Sequence, residues 1–538
     1  MIVADLIVKC LKKENVELVY GYPGGHILPV YESIRKQDMK HVLVRNEQSA
    51  VHNANGYARA SKKVGVCLAT SGPGATNMIT GISTAYMDSV PLVIITGQVP
   101  LNQIGDDVFQ EADIIGSTEP FTKYNYLVKN KDEVAGIIKK AFKIARTGRP
   151  GPVLIDIPKD IQLQKIRSYE YPDDIFIKGY NPVFEGHIGQ IKRAANNIKK
   201  AKKPVICCGG GVLSSDAKEE VAELVRKTDI PVLVTFMGLC AFDQTNPNYI
   251  GMVGMHGENY SNKIIKESDL VIVIGSRVAD RSKIDVTARS KKIIQIDIDS
   301  AEIGKNLSVD IPIVGDAKNI LKDIIERIDK APEISEWKEY ICNLKGRYQE
   351  KIEETPLVNP KEAMKFASDN MSDNAILITD VGQNQFWAAR NFKFYKDRMI
   401  FGSGGLGTMG YSLPASIGAK MGKPDSEVIA VMGDGGIQML LAELGVVKEQ
   451  NLDIKIIVFN NARLGMVKEL QENSYGRPSV FGTIFTDSPD FEAIAKAFGL
   501  RGRTVKNNQE FEEAFKEAMD SKEAFLIEAL VDSDFKTL

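Results

Sequence analysis

Residues 433–461, GDGGIQMLLAELGVVKEQNLDIKIIVFNN, decide the reading of this chain. They follow the apolar run Val428-Ile429-Ala430-Val431, which reads as a buried strand whose carboxyl end delivers Gly433, Asp434, Gly435 and Gly436 into a helix start. Glycine permits close backbone approach, helix-start N–H groups favour an anion such as a diphosphate, and Asp434 offers a hard oxygen to a magnesium-like cation. A second apolar run, 454–459, ends at Asn460 and Asn461, so two strands bring two oxygen ligands to one edge of one sheet. Alone, GDGG reads more readily as a tight turn. The turn, the helix, the second strand and the Asn pair together are far more specific.

Outward from this stretch, the rest of the chain repeats the same alternation. At 538 residues it is too long for one core and suggests three domains, at 1–165, 186–330 and 358–538. The net charge of −2 carries no basic footprint for nucleic acid, and no apolar run approaches a membrane span. The N-terminus alternates apolar and charged residues without a signal pattern, so a cytoplasmic protein is expected. Six cysteines without a CxxC pair argue against a zinc site or a disulfide framework and read as small buried hydrophobes. In the first third, apolar β-rich runs at 18–20, 42–44, 66–68 and 92–95 alternate with helical patterns, which predicts a parallel sheet. Glu47 follows one strand and opens a helix, where a carboxylate serves either the helix dipole or catalysis. The middle third places Gly209-Gly210-Gly211 after a strand, a turn or a weak phosphate cradle, since it is not GxGxxG. The last third, after a charged connector, carries Gly-bearing turns at 380–384 and 404–410.

The 433–461 stretch resembles the fingerprint of thiamine-diphosphate-dependent decarboxylases and carboligases. NEQSAVHNANGYARAS (46–61) and TSGPGATN (70–77) match the same family, and IGDDVFQEADIIGSTEPFTKYNYLV (104–128) narrows the resemblance to the acetolactate synthases, which join two 2-keto acids. The resemblance covers nearly the whole chain. It implies an α/β fold of three doubly wound parallel-sheet domains: pyrimidine-binding, central FAD-type and diphosphate-binding. It further implies Mg²⁺ held by Asp434, the Asn461 side chain and the Arg463 carbonyl, and a catalytic group of Glu47, Gly25, His26 and Gln110. Thiamine diphosphate would contact Gly382, Gln383, Asn384, Gly407, Met409, Asp434, Gly435, Gly436, Asn461, Leu464, Gly465 and Met466. Met409 would wedge the cofactor into its bent shape. FAD would lie against Gly209, Gly210, Gly211, Met255, His256, Arg277, Asp280, Arg281, Asp297, Asp299 and Asp316. Phe109, Lys123, Arg281 and Leu470 would border the 2-keto acid substrates. A homodimer or homotetramer is implied, with the site shared between subunits, as is a regulatory small subunit.

Several positions depart from the family pattern. Its Arg-Phe-Asp-Asp-Arg is Arg277-Val278-Ala279-Asp280-Arg281 here, and Lys178 stands where an arginine is expected, two changes that bear on flavin binding. His26 replaces a small residue, Asn384 a histidine and Leu470 a tryptophan, and the sequence is expected to lack the family's C-terminal lid. The alternatives are a diverged thiamine-dependent 2-keto acid decarboxylase, an aldehyde ligase or a diketone-cleaving enzyme, and, from another class, a flavin- or nucleotide-binding regulatory protein that has lost catalysis. Retention of Glu47, Asp434 and Asn461 speaks against the last.

Overall fold

A computed structural model describes residues 1–279, 291–348 and 354–537. The apolar runs form three six-stranded sheets. The first comprises β1 (Leu18–Tyr22), β2 (Lys40–Leu43), β3 (Gly65–Ala69), β4 (Leu92–Gln98), β5 (Tyr124–Leu127) and β6 (Pro152–Pro158), in the order β2-β1-β3-β4-β6-β5. The second comprises β7 (Pro204–Cys208), β8 (Val232–Val234), β9 (Tyr249–Met252), β10 (Leu270–Ile274), β11 (Lys292–Asp297) and β12 (Ile311–Val314), ordered β12-β11-β10-β7-β8-β9. The third comprises β13 (Ile376–Thr379), β14 (Met399–Phe401), β15 (Val428–Gly433), β16 (Ile454–Asn460), β17 (Arg501–Val505) and β18 (Phe525–Leu530), ordered β14-β13-β15-β16-β18-β17. Strand pairing is parallel throughout β1–β6, β7–β12 and β13 with β15–β18. Parallel sheets carry helices on both faces, which is why β3, β4, β6, β7 and β10 are apolar runs buried along their whole length rather than alternating strands. The fold is therefore the three-sheet α/β architecture expected from the sequence.

The chain forms two compact units. One contains Met1–Tyr180, Thr355–Ala388 and Phe401–Thr537, and so the first and third sheets; the other contains Asn181–Glu354 and Ala389–Ile400. Within the first unit, the helix Glu47–Ser61 packs on the helix Ser412–Gly422 at unusually close range. A Cβ on Gly56 would overlap the Ala415 carbonyl, and one on Gly418 would overlap that of Asn53. The two helix backbones touch there, and only glycine leaves room. Tyr411 Oη donates to Asn55 Oδ1 at 2.8 Å, and the buried His52 ring meets Tyr411 edge-on with centroids 5.3 Å apart. Burial pushes the His52 imidazole down to about 3, so it packs as a neutral ring. Five of the six cysteines are buried and all are free thiols, as expected for small core residues. No helix among the described residues is long and apolar enough to cross a membrane.

Candidate active site

β15 pairs with β16 so that Gly433 lies opposite Phe459, and each strand therefore releases its next residues at the same edge. Asp434, 1% exposed, opens the short helix Asp434–Met439. Its carboxylate accepts from Gly435 N at 3.0 Å and from Arg463 N at 3.2 Å. Burial nevertheless pushes this carboxyl up to about 7, because its backbone N–H bonds offset only part of the lost hydration. The two asparagines ending β16 divide their work. Asn460 Nδ2 donates to Glu528 at 2.7 Å and its Oδ1 accepts from Ala462 N at 3.0 Å, which builds the turn. Asn461 Nδ2 donates to Gln383 Oε1 at 2.9 Å, leaving Oδ1 as its acceptor. Ala462, at φ +52°, turns the chain, and residues 462–464 are pinned by Phe485 N to the Ala462 carbonyl (2.9 Å) and Leu464 N to the Thr483 carbonyl (2.8 Å). Leu464, Gly465 and Met466 then lead into the helix Gly465–Tyr475.

The neighbouring strand β13 is followed by a residue that sequence reading did not single out. Asp380 is buried, and its carboxylate accepts from Val381 N at 2.8 Å, Gly410 N at 3.0 Å and Ser412 N at 3.1 Å. Burial lifts it to about 6 while these N–H groups pull it down. Asp380 thus ties the Gly382-Gln383-Asn384 turn to the loop carrying Gly407 and Met409, and a Cβ on Gly436 would stand 2.9 Å from its Oδ1. Asn384 Nδ2 donates to the Val381 carbonyl at 3.0 Å, whereas its buried Oδ1 has no partner. Met409 Cε lies 3.4 Å from where a Gly435 Cβ would be. Gly382, Asn384, Met409, Asp434, Gly435, Gly436 and Asn461 therefore gather at one edge of the third sheet.

A second group lies at the edge of the first sheet. Glu47 is the first residue of its helix, Asn46 caps that helix by accepting from Gln48 N at 2.8 Å, and Glu47 Oε2 accepts from Asn77 Nδ2 at 2.9 Å. Sequence reading also missed Glu443, whose buried Oε1 accepts from Arg45 N at 2.8 Å and so holds the approach to Glu47. Burial pushes Glu443 up to about 7. Its signal was weak, since its partner is 398 residues away. The His26 main chain donates to Thr70 Oγ1 at 3.2 Å and accepts from Gln162 Nε2 at 2.8 Å, so the ring is left for Ser71 Oγ, 2.8 Å from Nδ1. Burial, then the Lys159 charge, lowers the imidazole from its usual range, while a bond from Gln110 raises it. Gln110 sits at φ +63° against Gly72, beside Phe109, which is 84% exposed. Gly25 is exposed with open space about it. Glu47 and Asp434 share no hydrogen-bond partner among the described residues.

The Lys123 ammonium donates to the Thr147 carbonyl at 2.7 Å and to the Ile144 carbonyl, at the end of the helix Val134–Arg146. Leu470 is 47% exposed on the helix Gly465–Tyr475. In the second unit, Gly209 N and Gly211 N donate to the carbonyls of Ile274 and Gly275, both at 2.9 Å. Those glycines allow two strand-end loops to touch, with a Gly211 Cβ only 2.5 Å from Gly275 Cα; Gly210 lies between them. Asp297 Oδ1 accepts from Asp299 N at 2.9 Å, Asp299 Oδ1 from Ala301 N at 3.0 Å, and Asp316 caps the helix Ala317–Glu326 through Asn319 N. Arg277 is partly buried with its carbonyl accepting from Asn306, His256 is partly buried and Met255 is half exposed. Asp280 and Arg281 lie outside the described residues.

Family models match these regions in order: the thiamine pyrophosphate enzyme N-terminal TPP binding domain over residues 1–117, the central domain of such enzymes over 191–324, and the C-terminal TPP binding domain over 380–529. A probable acetolactate synthase large subunit of Methanococcus aeolicus is 45% identical over 550 residues, covering 98% of this chain and 92% of the relative. The acetolactate synthase large subunit of Buchnera aphidicola subsp. Schizaphis graminum is 42% identical, with 99% and 95% covered. The isozyme 3 large subunit of Escherichia coli (strain K12) is 40% identical, with 96% and 92% covered. Full-length identity at this level, over a chain whose three sheets coincide with the three thiamine pyrophosphate enzyme domains, means that the chain belongs to the family of acetolactate synthase large subunits.

Proposed function

We propose that this chain is the catalytic subunit of a thiamine-diphosphate- and Mg²⁺-dependent carboligase that decarboxylates pyruvate and joins the remaining two-carbon unit to a second 2-keto acid, as acetolactate synthesis for branched-chain amino acids requires. The observation that carries this reading is the pairing of Asp434 and Asn461, two buried oxygen-bearing side chains, at adjacent strand ends within a TPP binding domain. The residues fit the groups. A carboxyl that burial lifts to about 7 is relieved by a cation, the donors are all hard oxygens, and the unpartnered Asn384 Oδ1 leaves a buried acceptor at the same edge. Asp434, Asn461 and the Arg463 carbonyl would hold Mg²⁺, and Gly382, Gly407, Gly435 and Gly436 would let the backbone approach a diphosphate.

When bound, thiamine diphosphate would supply a nucleophilic ring carbon and an electron sink for decarboxylation. Glu47, its carboxylate oriented by Asn77 and its helix start by Glu443, would bond the nitrogen of the aminopyrimidine ring. Met409 and Leu464 exclude water, and Phe109, Gln110 and Leu470 border the keto acids. Glu47 stands at the edge of the first sheet and Asp434 at the edge of the third, so a site completed by a second copy of the chain, a homodimer or larger, would bring the two halves together, and the large-subunit relatives support a regulatory small subunit. FAD would lie at the strand-end edge of β10, β11 and β12, held by Asp297, Asp299, Asp316 and Arg277 rather than by the engaged N–H groups of Gly209 and Gly211.

A second reading is favoured by the His26 ring, which faces Ser71 and Gln110 instead of the backbone: proton delivery there would divert the reaction to an aldehyde. Incubation with thiamine diphosphate, Mg²⁺ and pyruvate, with identification of the carbon product, tests both. Acetolactate supports the first, acetaldehyde alone the second, and absence of CO₂ release overturns both.

A further inference from the structure

Gln383 is buried at the start of the helix Gln383–Asn391, and every polar atom of its side chain is engaged. Nε2 donates to Glu469 Oε1 at 2.8 Å and to the Phe535 carbonyl at 3.0 Å. A main-chain carbonyl only accepts, so the amide nitrogen must face that side. Oε1 is thereby turned to Asn461, which answers with Nδ2 at 2.9 Å. With its nitrogen committed, Asn461 retains Oδ1, the atom type a hard cation requires. Gly465 supports the arrangement independently. A Cβ there would overlap Gln383 Oε1 and stand 2.9 Å from Asn461 Nδ2, so any larger residue would part the pair. Glu469 is fixed in turn by Thr537, whose N donates to Oε1 at 2.8 Å and whose Oγ1 donates to Oε2 at 2.7 Å.

We infer that Gln383 is a positioning residue of the metal site: held by Glu469 and the Phe535 carbonyl, it sets the Asn461 amide so that oxygen, not nitrogen, is presented to the divalent cation. This rests on the reading of Asp434 and Asn461 as metal ligands. It assigns the Gln383 side chain a role other than contact with the diphosphate, since neither amide N–H remains for it. It also makes the segment that reaches Thr537 part of the metal site's support.

The test is Mn²⁺ affinity, read by electron paramagnetic resonance in the presence of thiamine diphosphate, for wild type, Gln383→Leu, Glu469→Ala and Asp434→Ala. Groups that orient a metal ligand typically contribute about 10–100-fold to affinity, so Gln383→Leu is expected to weaken Mn²⁺ by that factor and Glu469→Ala by about threefold or more. Thiamine diphosphate affinity in both variants is expected to return to the wild-type value at saturating Mn²⁺. Unchanged Mn²⁺ affinity in Gln383→Leu overturns the inference. So does a loss of thiamine diphosphate affinity that persists at saturating Mn²⁺, which would make Gln383 a direct cofactor contact. Should Gln383→Leu fail to fold, unchanged affinity in Glu469→Ala overturns it equally. Failure of wild type to bind Mn²⁺, or binding undiminished in Asp434→Ala, would instead remove the underlying metal site.

Discussion

Two glycine-bearing strand ends, Gly433–Gly436 after β15 and Gly209–Gly211 after β7, read alike as sequence and behave differently as structure. At the first, a buried carboxylate and a buried amide oxygen are left with capacity to bind. At the second, two of the three glycine N–H groups already donate to the carbonyls of Ile274 and Gly275. Glycine marks close backbone approach in both places, but what approaches is a ligand in one and another loop in the other. Counting unfilled donors and acceptors separates them, where the motif does not.

The largest expected effects break this comparison at the third-sheet edge. Asp434→Ala removes the carboxylate from the proposed metal ligands and is expected to abolish Mg²⁺-dependent thiamine diphosphate binding, measured by calorimetry. Glu47→Gln is expected to bind the cofactor normally yet lose about 10²–10⁴-fold in turnover, the usual worth of a positioned acid or base. Near wild-type turnover in Glu47→Gln would remove it from catalysis. Mixing the two inactive chains under demonstrated subunit exchange is expected to restore part of the activity if each site draws Glu47 and Asp434 from different copies. No recovery would place both on one chain.

The helix pair joining the first and third sheets gives a smaller effect with a defined sign. His52 is pushed down to about 3 by burial, against about 6.5 when unfolded, so the unfolded chain binds the proton first. Its contribution to stability is complete above pH 6.5 and is lost as pH falls from 6.5 toward 3, by up to about 1.4 kcal/mol per pH unit. Asp156, buried on β6 where it accepts from Thr96 and Gln98, acts in the opposite sense together with Asp380, Asp434 and Glu443, all raised by burial, contributing stability at low pH that is lost as pH rises toward 6–7. The informative quantity is therefore the difference between wild type and His52→Gln across pH 4–7. A difference that does not grow on acidification would show that His52 is charged in the fold.

At the second-sheet edge, Gly211→Ala places a methyl 2.5 Å from Gly275 Cα and is expected to cost about 1–3 kcal/mol of stability, the usual range for overpacking. Thermal melting measures this, and FAD titration of the surviving folded protein is expected to show little change in affinity. A large loss of FAD affinity without loss of stability would restore the glycine triplet as a phosphate cradle. Protein that takes up no FAD at all would remove flavin from the second sheet.

The fold was legible because buried parallel strands are continuous apolar runs, and the Asp434–Asn461 edge was legible because consecutive parallel strands release their ends on one side. What escaped reading depends on partners distant in sequence. Glu443 and Arg45 meet across 398 residues, Gln383 and the Phe535 carbonyl across 152. Nothing local distinguishes a carboxylate that caps a remote helix from one facing water. Lys123 sits in a segment that matches the family, and its ammonium donates to the Thr147 carbonyl 24 residues further on. Motif spacing reports where a backbone turns and is silent on where a long side chain finds its acceptors.

The smallest expected effect concerns acceptor choice. Leu470, on the helix beginning at Gly465, is 47% exposed, so it offers a candidate acceptor pocket less apolar wall than a tryptophan would. A hydrophobic pocket distinguishes acids differing by one methylene by only about 1–3 kcal/mol even when well shaped, so a pocket short of one wall is expected to prefer 2-ketobutyrate over pyruvate only weakly. Leu470→Trp is expected to raise that preference toward about tenfold, the lower end of what one methylene supplies. His26→Ala is expected to leave the preference unchanged and to shift product away from any aldehyde, since it removes the ring facing Ser71 without touching the helix that carries Leu470. Competition between the two keto acids, run on wild type and both variants with product identification, separates the contributions. Strong wild-type selection for 2-ketobutyrate, unmoved by either substitution, would show that neither residue shapes the pocket and that acceptor choice is set by the side chains around Phe109 and Gln110.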